Sequence, residues 1–156
     1  MADTVLSIKN PQFATYLIVA SLLLLKMSAL TLLTIFHRQK NRVFSNEEDT
    51  KMRGGTVGIN DDVERVRRAF QNDLENIPTF LFIGLLYLFV QVPDWVVYFL
   101  FYLFLLARTA HSIVYAVYVI PQPARALSFL LGFFVILYMS IHVLIHGFFM
   151  GYLGLG

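Results

Sequence analysis

The chain contains no cysteine, which excludes disulfides, thiol catalysis and cysteine-ligated zinc and leaves the redox compartment unmarked. Charge is scarce as well. Only 14% of the 156 residues are Asp, Glu, Lys or Arg, against 58% hydrophobic and a mean hydropathy of +0.67, far from the balance of a soluble domain. Period-two alternation is missing from the apolar runs, so they do not read as barrel strands. There is no internal repeat and no low-complexity tract. Gly54-Gly55-Thr56-Val57-Gly58 lacks the Lys-Ser or Lys-Thr of a phosphate-cradling loop and has no strand before it, so it reads as a flexible connector. Met1 to Lys9 lacks a cleavable-signal pattern, and the first apolar segment is expected to stay as a signal anchor.

What is abundant is long apolar sequence. A hydrocarbon core about 30 Å thick needs about 20 apolar residues per helical span, and four segments qualify: residues 12–36, 73–90, 95–119 and 124–149. Backbone groups in lipid must be satisfied within the segment. The expected fold is therefore all-α, a polytopic integral membrane four-helix bundle forming one domain over residues 1–156, with a polar connection over residues 37–72. The net charge of +2 and pI near 9.0 do not indicate nucleic acid. Eight of the twelve Lys and Arg lie between Arg38 and Arg68, mixed with six acids, which marks a cytosolic loop by the positive-inside rule. The N-terminus and the Gln91-Val92-Pro93-Asp94 turn then face the opposite side, the Pro121-Gln122-Pro123 turn faces the cytosol, and both termini are lumenal.

Ionisable residues inside spans persist mainly when paired or when they hold a polar ligand. Arg65, Arg68, Asn72, Glu75 and Asn76 fall at i, i+3, i+7, i+10 and i+11, one helical face that continues into the membrane. A guanidinium, an amide and a carboxylate there suit a zwitterionic peptide, the acid taking an ammonium and the guanidinium a carboxylate. The plainer alternative is a solvated amphipathic entrance with intrahelical pairs, an even choice for Arg65 beside Glu64. Arg108, His111, Ser112 and Tyr115 share a face of the next span. An arginine there costs at least about 2.5 kcal/mol on insertion, so Arg108 is expected to form a buried salt bridge to Glu75 or Asp73, with direct ligand contact as the lesser alternative. Lys26 is expected to pair with the same acids or to reach the interface. Tyr115 and His111 are either ligand contacts or interhelical hydrogen-bond partners. His142 and His146 have metal-compatible i, i+4 spacing but no third ligand type nearby, so no metal site is expected. Arg125 opens the last span beside a helix N-terminus, where a cation is unfavourable unless an anion joins it; plain interfacial anchoring is the simpler role. Together these residues describe a cytosol-facing, arginine-rich pocket for a small anionic or zwitterionic molecule beside lipid.

Five stretches carry a family resemblance: Lys26-Met27; Val43 to Asp49; Val63-Glu64-Arg65-Val66-Arg67-Arg68-Ala69 with Asn72 to Asn76; Ala107 to Ser112; and Pro121 to Phe129. In this order and spacing they resemble the type 1 glutathione transferase branch of the membrane-associated eicosanoid and glutathione metabolism (MAPEG) family. The resemblance implies a homotrimer in the endoplasmic reticulum membrane, with the mitochondrial outer membrane as a second location. Glutathione would be the co-substrate, bound between neighbouring subunits near the cytosolic face, with hydrophobic electrophiles arriving through the lipid. By position, Arg38, Arg67, Arg68, Asn72, Glu75, His111 and Tyr115 would hold glutathione and Arg125 would be catalytic, stabilising its thiolate. A guanidinium beside the sulfur lowers the thiol pKa and raises the nucleophilic fraction. Conjugation is the main activity implied, with peroxidase activity toward lipid hydroperoxides beside it.

Three departures stand out. Thr50 occupies the place of a cysteine whose modification activates the mammalian type 1 members, Phe70 replaces the family's histidine, and Ala126 and Phe129 lie where the prostaglandin E synthase branch has a serine and a tyrosine. The last pair disfavours an eicosanoid synthase. A non-catalytic lipid-binding scaffold is the rival from outside enzymology, and the Arg125, Arg68, Asn72 and Glu75 set weighs against it. A transporter is disfavoured by the absence of a broken helix or inverted repeat.

Overall fold

A computed structural model describes residues 5–152 and 154 of the chain. Met1 to Thr4, part of the stretch read as lacking a cleavable-signal pattern, lie outside the described residues. Five helices carry the structure: α1 (Pro11–Asn41), α2 (Glu47–Arg53), α3 (Asp61–Tyr87), α4 (Asp94–Ser112) and α5 (Ala124–His146). Wide π-helical turns extend α4 over Ile113–Val117 and α5 over Gly147–Tyr152. Among the described residues three segments, Pro11–Asn41, Asp94–Val117 and Ala124–Gly151, are long and apolar enough to cross a membrane. α3 is long enough, but Gln71, Asn72, Asp73, Glu75 and Asn76 keep it too polar to qualify by composition.

The helix ends explain why each segment starts where it does. Asn10 caps α1 by accepting from the Gln12 backbone N–H at 2.9 Å, with Pro11 at the first helical position. Asn60 caps α3 through the Asp62 and Val63 N–H groups, and Asp61, Asp62 and Glu64 place negative charge at the positive end of the helix dipole. α1 and α3 both run several residues past the apolar stretch at this end, so the connection expected over residues 37–72 is largely helical, and the turn between the two helices shrinks to residues 42–60.

That turn is not a flexible connector. Val43–Phe44 pairs in parallel with Thr56–Val57, as strands β1 and β2, with α2 as the excursion between them. The pairing needs Gly55, since its φ is +128° and a Cβ there would lie 2.4 Å from the Arg42 carbonyl oxygen.

α4 packs against α1, α3 and α5, and α3 also packs against α1 and α5. Gln12 Nε2 donates to Asp94 Oδ1 at 2.7 Å, and the Tyr87 hydroxyl lies 3.0 Å from His142 Nδ1, so both contacts mark one end of the molecule. At the other end Asn41 Nδ2 donates to Asn60 Oδ1. The four long helices therefore alternate in direction. Two apolar clusters fill the interior: Phe80 stacked on Phe104 at 3.9 Å with Val19, Leu23 and Met139, and a smaller one of Leu30, Val66, Ala69 and Ala116. Outward-facing leucines and phenylalanines such as Leu25, Leu32, Phe99, Leu106 and Leu144 leave an apolar exterior, far more than a soluble surface shows.

Candidate functional site

Between the two apolar clusters lies a buried polar layer centred on Asp73, which sits on the inward stripe of α3 with Val66, Ala69, Ile77 and Phe80. Its carboxylate accepts from Lys26 Nζ at 2.6 Å, from Arg108 Nη2 at 2.8 Å and Nε at 3.2 Å, and from the Ser112 hydroxyl at 3.3 Å. Asp73 and Arg108 are fully buried. Of the two acids expected to neutralise Lys26 and Arg108, Asp73 does so and Glu75 does not. One carboxylate against two cations leaves this layer with a positive excess, held within protein rather than lipid. Gly132 makes room for it, as a Cβ there would stand 3.3 Å from Arg108 Cδ.

Above this layer, at the end of the molecule that carries residues 42–60, a cavity of about 270 Å³ is lined by Arg68, Gln71, Asn72 and Glu75 of α3 and by His111 and Tyr115. Helical spacing on α3 and α4 thus brings together five of the expected site residues. Glu75 is exposed and, among the described residues, its carboxylate is bonded only by Gln71 Nε2 at 3.4 Å, which leaves it available to a ligand. Asn76, on the same face by spacing, is instead turned back to the Asn72 carbonyl at 2.8 Å. A second cavity of about 250 Å³ shares Asn72 and His111 with the first and adds Gln122, Arg125, Ala126 and Phe129.

Among the described residues Arg125 is held by stacking, not by an acid. Its guanidinium carbon lies 4.3 Å from the centre of the Tyr115 ring, and Tyr115 is presented by the π-helical turn after Ser112, a feature often found at functional sites. Arg125 Nε and His111 Nδ1 are buried without a hydrogen-bond partner among the described residues. Buried polar atoms are normally satisfied. Two such atoms beside adjoining cavities fit an anionic or zwitterionic ligand.

Arg38 and Arg67 lie elsewhere. Both line a separate cavity of about 290 Å³ beside β1 and β2, where Arg38 donates to the Ser45 hydroxyl and Arg67 pairs with Glu64 at 2.6 Å. Arg67 and Arg68 also border a larger cavity, about 530 Å³, between α1 and α3 with Thr31, Ile35, Phe70 and Leu74. Spacing alone missed Gln71 and Gln122. Gln122 Oε1 accepts from the Ala126 N–H at 3.1 Å and so caps α5 next to Arg125, a role that its position between two prolines at a helix start could have indicated. Among the described residues no group of three or more His, Cys, Asp or Glu could hold a metal.

A small helical membrane protein with a cation-rich polar pocket at one end is the class that this fold and site define. Residues 16–145 match the MAPEG family, and the chain belongs to it. It is 41% identical over 151 residues to microsomal glutathione S-transferase 1 of Sus scrofa, covering 92% of this chain and 96% of that protein. The Homo sapiens protein of the same name is 42% identical over 138 residues, covering 85% and 86%. Prostaglandin E synthase of Homo sapiens is 35% identical over 112 residues, covering 70% and 74%.

Proposed function

We propose that the protein is a membrane-bound glutathione transferase that conjugates glutathione to hydrophobic electrophiles and also reduces lipid hydroperoxides. The observation that carries this is the convergence of Arg68, Asn72, Glu75, His111 and Tyr115 on one cavity that adjoins Arg125. The relatives named microsomal glutathione S-transferase 1 support it.

In this scheme the Glu75 carboxylate takes the ammonium of the γ-glutamyl group and Arg68 a carboxylate. Arg125, braced on Tyr115, faces the sulfur. Its charge favours the thiolate, whose proton leaves to solvent, so it acts as an electrostatic stabiliser and not as a proton acceptor. The thiolate then attacks an electrophilic carbon, forming a carbon–sulfur bond as a leaving group departs or as a double bond is saturated with a proton from water. With a hydroperoxide, two glutathione thiols are oxidised to the disulfide while the peroxide O–O bond breaks, giving an alcohol and water.

Completion of the site calls for a neighbouring subunit. Arg38 lies outside the two cavities that hold Arg68, Asn72 and Arg125, and we infer a homotrimer of four-span subunits, α3 being the fourth span, in which Arg38 closes the site of a neighbour. The endoplasmic reticulum is the proposed membrane, with the site facing the cytosol, where glutathione is plentiful and the charged connection belongs by the positive-inside rule. The mitochondrial outer membrane is a second proposed location. An eicosanoid synthase is the competing activity, favoured by the relatives named prostaglandin E synthase. Ala126 and Phe129, beside Arg125 in its cavity, bring no hydroxyl to that reaction.

The test is the ultraviolet absorbance of thiolate when glutathione is added near neutral pH to the detergent-purified protein, with Arg125→Ala alongside. A signal in wild type that vanishes in the variant is expected. Absence of both signal and calorimetric binding in wild type would overturn the proposal in favour of a lipid-binding scaffold.

A further inference from the structure

The buried layer around Asp73 has one member, Arg108, that is bonded to a residue lining the cavities. Arg108 Nη2, while holding Asp73, also donates to Asn72 Oδ1 at 2.5 Å. A guanidinium only donates, so the Asn72 atom facing it is the carboxamide oxygen. The amide nitrogen takes the other side of the group, and it has no protein acceptor among the described residues. Asn72 is part-exposed and lines both cavities, the one with Arg68 and Glu75 and the one with Arg125.

We infer that Arg108 is a positioning residue: by engaging the Asn72 oxygen it fixes that side chain as an N–H donor toward the cavities, so that Asn72 reads an acceptor oxygen, a ligand carboxylate. This rests on the glutathione reading above. Arg108 is suited to the task because its planar fork spans two acceptors at once, Asp73 and Asn72, whereas a lysine offers a single point charge. Fully enclosed and packed against Gly132, it cannot swing toward the ligand itself. Its influence passes through the amide.

The experiment compares glutathione with its two monoamides, each lacking one carboxylate charge, by calorimetric affinity and by the KM and kcat of conjugation. Wild type, Asn72→Asp and Arg108→Lys are the proteins tested. Asn72→Asp keeps an acceptor for Arg108 and so folds, but turns a donor into a carboxylate. It is expected to lose on the order of tenfold or more in glutathione affinity, with a smaller effect on kcat, and to prefer one monoamide over glutathione. Arg108→Lys keeps the ion pair with Asp73 and frees Asn72, so the wild-type preference for acid over amide shrinks. A merely structural role for Arg108 would leave that preference unchanged. The inference is overturned if Asn72→Asp binds glutathione within about twofold of wild type, or if folded Arg108→Lys keeps the wild-type acid-to-amide ratio. Should Arg108→Lys fail to fold, the ligand preference of Asn72→Asp decides alone. Wild type that binds no glutathione overturns the parent reading, and this one with it.

Discussion

Asp73 and Glu75 are two residues apart, and the fold puts them to opposite uses. Asp73 is the common counter-ion of Lys26 and Arg108, so Asp73→Asn strands two cations in the interior. Breaking a buried pair costs about 3–5 kcal/mol, and the variant is expected to melt far below wild type in detergent or not to assemble, as read by thermal unfolding and gel filtration. Glu75→Gln touches only an exposed, weakly bonded carboxylate. Its stability should match wild type within about 0.5 kcal/mol, while calorimetry shows glutathione affinity reduced by about tenfold or more. The face shared by Arg68, Asn72 and Glu75 was legible in the sequence because helical spacing is rigid. The choice between Asp73 and Glu75 was legible in part, since only Asp73 falls in register with Val66, Ala69, Ile77 and Phe80. The stacking of Arg125 on Tyr115 was not, because it depends on a π-helical turn that no residue pattern announces.

At the scale of elements, the apolar runs gave away α1, α4 and α5, and length and composition suffice for them. The turn between α1 and α3 escaped notice because two-residue strands have no periodicity to detect and their glycines read equally well as linker. Asn60 is the residue that organises this turn, capping α3 and accepting from Asn41 at the end of α1. Asn60→Ala should lower stability by about 1 kcal/mol for the lost cap, with faster amide exchange confined to the start of α3. In α5, Gly132 lets Arg108 lie flat against the helix. Gly132→Val forces that side chain aside, and overpacking of about 1–3 kcal/mol is expected to appear as a lower melting temperature.

On the scale of the whole molecule, the alternating helices gather every pocket residue at the one end that bears the charged connection, while the exterior between the ends stays apolar. Composition sufficed to place the chain in a membrane. It could not reveal which of the expected site residues the fold brings together, because Arg38 is parted from the others by tertiary geometry and not by sequence distance. If Arg38 serves a neighbour, subunits carrying Arg38→Ala and subunits carrying Arg125→Ala should each be nearly inactive alone. Co-expressed mixtures should then regain conjugation activity, because some sites in mixed trimers draw Arg125 and Arg38 from intact partners; no recovery would place both residues in one chain's site. The pairing of Val43–Phe44 with Thr56–Val57 carries a different consequence. It returns the chain to its point of departure before α3 begins, so residues 45–55 form a side loop whose length does not set the distance between α1 and α3. Doubling a loop costs only about 0.6 kcal/mol in closure entropy. Insertions and deletions between Ser45, which holds Arg38, and Gly55 are therefore expected to leave the pocket nearly unchanged, which makes this the place where the chain can change its length while its chemistry stays as it is.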